Sequence, residues 1–154
     1  MPNLVIRFIH EPDLVSKLIA WETDSLFVHC EGLSWDEKSW IGAHAGTGVQ
    51  ARPLDWCKPT FERRYALPVE SPQWDRAMAW LETRVGEPYD YADIVGLALH
   101  SRKGASDHEI ICSALMIEWM WQAGLEPLNC REGWAYLITP ESLHLSPLFI
   151  GKGI

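Results

Sequence analysis

The apolar pattern of this chain changes its period at Ser71-Pro72, and that change limits the fold more than any other feature of the sequence. Upstream, short runs bounded by turn residues dominate. Leu4 to Ile9, Ser25 to Leu33, Trp40 to Ala45, Val49 to Arg52 and Phe61 to Val69 each suit an extended strand. One helix interrupts them, opened by Glu11-Pro12-Asp13 and carrying Leu14, Val15, Leu18 and Ile19 on one stripe. Downstream, Trp74, Ala77, Met78, Leu81 and Val85 recur at helical spacing behind a Ser71 cap, until Gly86 and Pro88 stop them. Asp90 caps a second helix through Leu99, and Ile110 to Ala123 forms a third, ended by Gly124 and Pro127. Trp134 to Ile138 predicts a last strand and Thr139-Pro140-Glu141 a short terminal turn or helix. Strands followed by a helical block describe an α+β fold, an antiparallel sheet packed against helices, in a single domain over residues 1–154.

The composition excludes several partners. The chain has 154 residues with 47% apolar and 22% charged, enough to bury its own core without disulfide or metal staples. Thirteen basic against 21 acidic residues leave a net charge of −8, and the longest basic cluster is Arg63-Arg64. Neither nucleic acid nor an anionic membrane is the expected partner of such a surface. No apolar run approaches the roughly 18 residues of a membrane-spanning helix. Arg7 interrupts the N-terminal apolar run and no small-residue cleavage site follows it, so no secretion signal is expected. The cytoplasm, with four free thiols, is the expected location.

The cysteines are Cys30, Cys57, Cys112 and Cys130, too far apart for any CxxC pair. Cys112 differs from the rest in opening an apolar helix just after the polar loop Ser106-Asp107-His108-Glu109. A thiol there meets the positive end of the helix and its free N–H groups, which favour thiolate and can hold an oxyanion. Ser113 shares that helix start. Tyr89 and Tyr91, before the preceding helix, offer hydroxyls to the same hole or simply pack in the core.

A base is available on the strands. If the turn between them centres on Asp36 and Glu37, opposed residues sum to 73, and His29 faces His44 with Cβ atoms about 5 Å apart. Glu31 shares the His29 face by strand alternation, whereas Cys30 points away and is expected to serve packing. Cys112 as nucleophile, His29 as general base, and His44 or Glu31 orienting that base make a thiol acyl-transfer constellation needing no cofactor. A zinc-dependent hydrolase using His29, His44 and Cys112 is a lesser alternative, without the paired-ligand spacing of known zinc motifs. A non-catalytic binding or virion-associated module is the other. Trp119 and Trp121 cannot both face the core from one narrow stripe, so one of them is free for a groove or subunit contact unless the helix is buried on two sides.

The order His first, Cys last is that of circularly permuted papain-like folds, and a set of segments resembles the NlpC-type members of that group. These are Ser25 to Glu31, Trp40 to Ala43, Gly48 to Pro53, Gly86-Glu87-Pro88-Tyr89-Asp90-Tyr91, Ile111-Cys112-Ser113-Ala114-Leu115 with Ala123-Gly124 a helix later, and Thr139-Pro140 with Leu143. The resemblance implies a permuted papain-like fold and a cysteine hydrolase or acyltransferase related to the lecithin:retinol acyltransferase-like superfamily. Its substrate would be a peptide, a peptidoglycan fragment or an acyl ester. Relatives of this compact form resemble phage or prophage products.

Overall fold

The computed structural model describes residues 1–10, 26–88, 111–130 and 134–154. The expected helices after Glu11 and from Asp90 to Leu99, the polar loop before Ile110, and Tyr89 and Tyr91 lie outside the described residues.

Five strands form one antiparallel sheet: β1 (Asn3–His10), β2 (His29–Leu33), β3 (Ser39–His44), β4 (Gly48–Pro53) and β5 (Phe61–Pro68), in the spatial order β4-β3-β2-β1-β5. The β2–β3 register pairs Gly32 with Ile41 and Leu33 with Trp40, so opposed residues do sum to 73. The chain is therefore α+β with an antiparallel sheet, as its periodicity predicts.

Two helices cover one face of this sheet. α1 (Ser71–Thr83) begins behind Glu70, not behind Ser71. The Glu70 N–H donates to the Gln73 side chain at 3.1 Å, a capping box that occupies the position Ser71 was expected to fill. Ala77, Met78 and Leu81 are its buried stripe. α2 (Cys112–Gln122) buries eight of its eleven residues, Trp119 among them, because it packs on the sheet and on α1 together. Trp121 is only half-buried at the margin of that core.

The even-numbered residues of β2 face these helices. A Cβ on Gly32 would lie 2.9 Å from the Trp119 ring and 3.1 Å from Leu81, so the absence of a side chain lets α2 settle onto the strand. Gly48, at a φ of 78°, allows another close approach: Val49 N–H donates to the Glu87 carbonyl at 2.8 Å, and any Cβ on Gly48 would strike that carbonyl.

Two elements differ from expectation. The strand expected from Ser25 begins only at His29. The N–H groups of Leu26 and Phe27 donate instead to the Glu141 carboxylate, at 3.1 and 2.9 Å, on α3 (Pro140–His144). The strand expected at Trp134 to Ile138 is a 3₁₀ turn over Ala135–Leu137. The outer edge of β5 is taken by the last residues, Ala66 N–H donating to the Lys152 carbonyl and Ile154 N–H to that of Arg64. The Ser113 hydroxyl meanwhile ties the Ile138 carbonyl to α2.

Candidate functional site

The sheet face away from the helices carries the odd-numbered residues of β2. An antiparallel sheet covered on one side normally turns polar side chains to water here. In this protein the same face is buried. Arg7, Glu31, His29 and His44 are at most 6% exposed, beneath Trp40 and beside Trp56.

Glu31 joins the set. Its Oε2 accepts from Arg7 Nε at 2.6 Å, and the Arg7 guanidinium lies 4.4 Å over the Trp40 ring. Its Oε1 lies 3.3 Å from His29 Nε2 and 3.2 Å from His44 Nε2. Neither approach is aligned as a hydrogen bond, and all three atoms are buried without such a partner among the described residues. The two imidazoles stack at 4.6 Å between centroids. His44 and Glu31 are therefore not rivals for one place beside His29: the carboxylate stands between the rings. Gly42, on β3 opposite Glu31, keeps this arrangement possible. A Cβ there would come within 2.7 Å of Glu31 Cγ and 3.2 Å of His29 Nε2.

Cys112 is the first residue of α2, after Ile111 in extended conformation, and the Ile111 side chain at the cap position makes no hydrogen bond to that helix start. Its thiol interacts with both His29 and Cys30. The expectation that Cys30 merely packs is corrected here: Cys30 does leave the His29 face, but the face it joins is the one on which α2 rests, so the helix start meets it. The Cys30 hydrogen bond pulls the Cys112 thiol down, burial opposes this, and the charge and contact of His29 reinforce it. Cys112 ends well below the ordinary thiol range, while burial and the Cys112 contact hold Cys30 well above it. For His29 burial favours the neutral ring, but Cys112 and then Glu31 outweigh it and push the group up to about 10. Burial acts against ionisation of Glu31 too, and is overcome by the two imidazoles and Arg7, which keep the carboxyl ionised. His44 is depressed, mainly by burial, and stays neutral. The thiolate and carboxylate thus balance the imidazolium and guanidinium in one buried group.

The Ser113 hydroxyl is engaged by the Ile138 carbonyl, so that residue offers the site only its backbone N–H. The zinc set expected from His29, His44 and Cys112 does not assemble as drawn: the donor atoms that converge within 4.8 Å belong to His29, Glu31 and His44. The sequence reading gave Arg7, Gly42 and Cys30 no place in the site. The signal for Arg7 was present, a lone cation inside an apolar strand, which demands a buried anion.

No protein-family profile matches this chain. No curated protein matches it either. Among solved structures, that of the metalloprotein YiiX from Escherichia coli O157:H7, a DUF1105 protein, is similar with a TM-score of 0.72. The match covers 99% of this chain and 96% of that one at 15% identity, a likeness of fold. The expected kinship with permuted NlpC-type papain-like hydrolases is thereby overturned, since the neighbour in fold is described as a DUF1105 metalloprotein. Motifs such as Ile111-Cys112-Ser113 or Gly86-Glu87-Pro88 encode a helix start and a turn, which many folds require, and they carry little family information. No described helix is long and apolar enough to cross a membrane.

Proposed function

We propose that this protein is a cysteine-dependent acyl-transfer enzyme that opens an amide or ester carbonyl through a thioester on Cys112. The observation that carries the reading is the contact between a thiol at a helix start and a histidine backed by a buried carboxylate. A buried packing cysteine needs neither neighbour.

In this reading the Cys112 sulfur attacks the carbonyl carbon, and the N–H groups of the first turn of α2 hold the oxygen as it gains charge. His29 keeps the thiol proton and passes it to the leaving nitrogen or oxygen as that bond breaks. Water or an acceptor hydroxyl then attacks the thioester, losing a proton to His29 and releasing Cys112. Glu31 fixes the ring of His29 from Nε2, and Arg7 fixes Glu31. Cys30, protonated, donates to the Cys112 thiolate.

A second observation bears on the same residues. The YiiX structure is titled a metalloprotein, and two imidazoles with a carboxylate are a donor set suited to zinc-type cations. The acyl-transfer steps of this reading use only Cys112, His29 and the groups that hold them.

Alkylation tests the proposal. With iodoacetamide near neutral pH, on metal-free protein, Cys112 is expected to react at least about tenfold faster than Cys57 or Cys130, and His29→Ala to remove the difference. Hydrolysis of activated acyl esters is expected to vanish in Cys112→Ala, by at least about 10³-fold. Equal labelling of Cys112, Cys57 and Cys130 would overturn the proposal.

A further inference from the structure

We infer that His29 Nε2, Glu31 Oε1 and His44 Nε2 form a binding site for one divalent first-row transition cation of the zinc type. The three atoms come from neighbouring strands, two from β2 and one from β3, and lie within 4.8 Å of one another. Around a cation holding N and O ligands at about 2.0–2.1 Å, tetrahedral donors stand roughly 3.3–3.4 Å apart. Two edges of this triangle already measure 3.3 and 3.2 Å.

The same three atoms are buried and have no aligned hydrogen-bond partner among the described residues. Buried polar atoms in that condition are rare and need an explanation, and a bound ion supplies one. The backbone opposite is cut back to suit the donors: a Cβ on Gly42 would lie 2.7 Å from Glu31 Cγ, 3.2 Å from His29 Nε2 and 3.3 Å from Glu31 Oε1, so any side chain at that position would push them out of place. Arg7 occupies the other carboxylate oxygen, so it orients Oε1 toward the triangle from outside. Two imidazoles and one carboxylate favour zinc, iron, cobalt or nickel over calcium or magnesium, which prefer oxygen throughout.

Occupancy of this site and the acyl-transfer arrangement are alternatives. An ion between Nε2 and Oε1 replaces the direct contact by which Glu31 steadies His29 toward Cys112. A bound cation therefore inhibits the thiol chemistry; this clause alone rests on the function proposed above.

The test is zinc chloride titrated calorimetrically into metal-stripped full-length protein, with cobalt(II) as a visible-absorption probe. One ion per chain is expected, with unchanged stoichiometry in Cys112→Ala. His44→Gln is expected to weaken binding by about 100-fold or more. Gly42→Ala keeps all three donor residues but displaces Glu31 and the His29 ring, and should weaken binding as well, which covers the case of a His44 variant that does not fold. Bound cobalt should lack a sulfur charge-transfer band. Failure of the folded protein to bind one zinc ion, full affinity in both variants, loss of binding in Cys112→Ala, or a cobalt–sulfur band would each overturn the inference. None of those outcomes alters the alkylation of metal-free Cys112, so the two proposals fail separately. If both hold, one equivalent of zinc slows Cys112 alkylation in the unmodified protein.

Discussion

Glu31 divides its two oxygens between a guanidinium and a pair of imidazoles, and the consequences are sharpest at the scale of single residues. Arg7 and Glu31 are 1% and 0% exposed, so neither can fall back on water if its partner is removed. Arg7→Met is expected to lower unfolding free energy by about 3–5 kcal/mol in urea, because it strands the carboxylate among two imidazoles. A loss below about 1 kcal/mol would show that His29 and His44 suffice to hold Glu31. Gly42→Ala should cost about 1–3 kcal/mol by overpacking and also slow Cys112 alkylation, since its methyl group displaces Glu31 and the His29 ring. Destabilisation without slower alkylation would detach Gly42 from the site. Much of this was visible in advance: His29, His44, Glu31 and Cys112 all stand out by residue type and strand spacing. The role of Cys30 did not, because strand alternation says which face a residue joins and nothing about what covers that face.

At the scale of elements, α3 closes one end of the sheet. Its Glu141 holds the backbone of Leu26 and Phe27. Its His144 packs between Phe8 and Phe27, with Nε2 at 2.7 Å from the Tyr65 hydroxyl. Burial depresses His144, Glu141 counteracts, and Arg63 adds to the depression. The folded protein therefore prefers the neutral ring, while the unfolded chain takes up its proton below about 6.5. Stability contributed here is complete above that pH and is lost as pH falls through the folded-state value. Urea melts of the native chain and of His144→Gln, compared from pH 8 to pH 5, should show a shallower acid loss in the variant. Parallel curves would remove His144 from the balance. The 3₁₀ turn at Ala135–Leu137 belongs to this scale as well. Its residues have the composition of a strand, but the free edge of β5 is claimed by residues 152–154, and the segment stays outside the sheet.

For the whole molecule, α1, α2 and the helix-facing side of the sheet share one apolar cluster that includes Leu4, Phe8, Ile41, Leu81 and Trp119. Trp40 is buried on the opposite, polar face. Unfolding followed by tryptophan fluorescence and by far-UV circular dichroism should coincide in one transition, because neither face survives loss of the sheet. Two separate midpoints would mean that the helices and the polar face melt independently. The amino-acid pattern alone settled the class of fold, since a period of two and a period of 3.6 bury different faces and cannot be exchanged. The β2–β3 register was conditional on a turn centred on Asp36 and Glu37, and the pairing of Gly32 with Ile41 in the folded sheet selects it. The polar side of the sheet was decided only by tertiary structure. Whether Arg7, Glu31, His29 and His44 meet water or one another depends on what covers them, and part of that cover, Trp56, joins the site from a loop distant from β1 and β2 in the chain. Burial turned four solvable charges and rings into one coupled group, and a local sequence pattern carries no record of burial contributed from elsewhere.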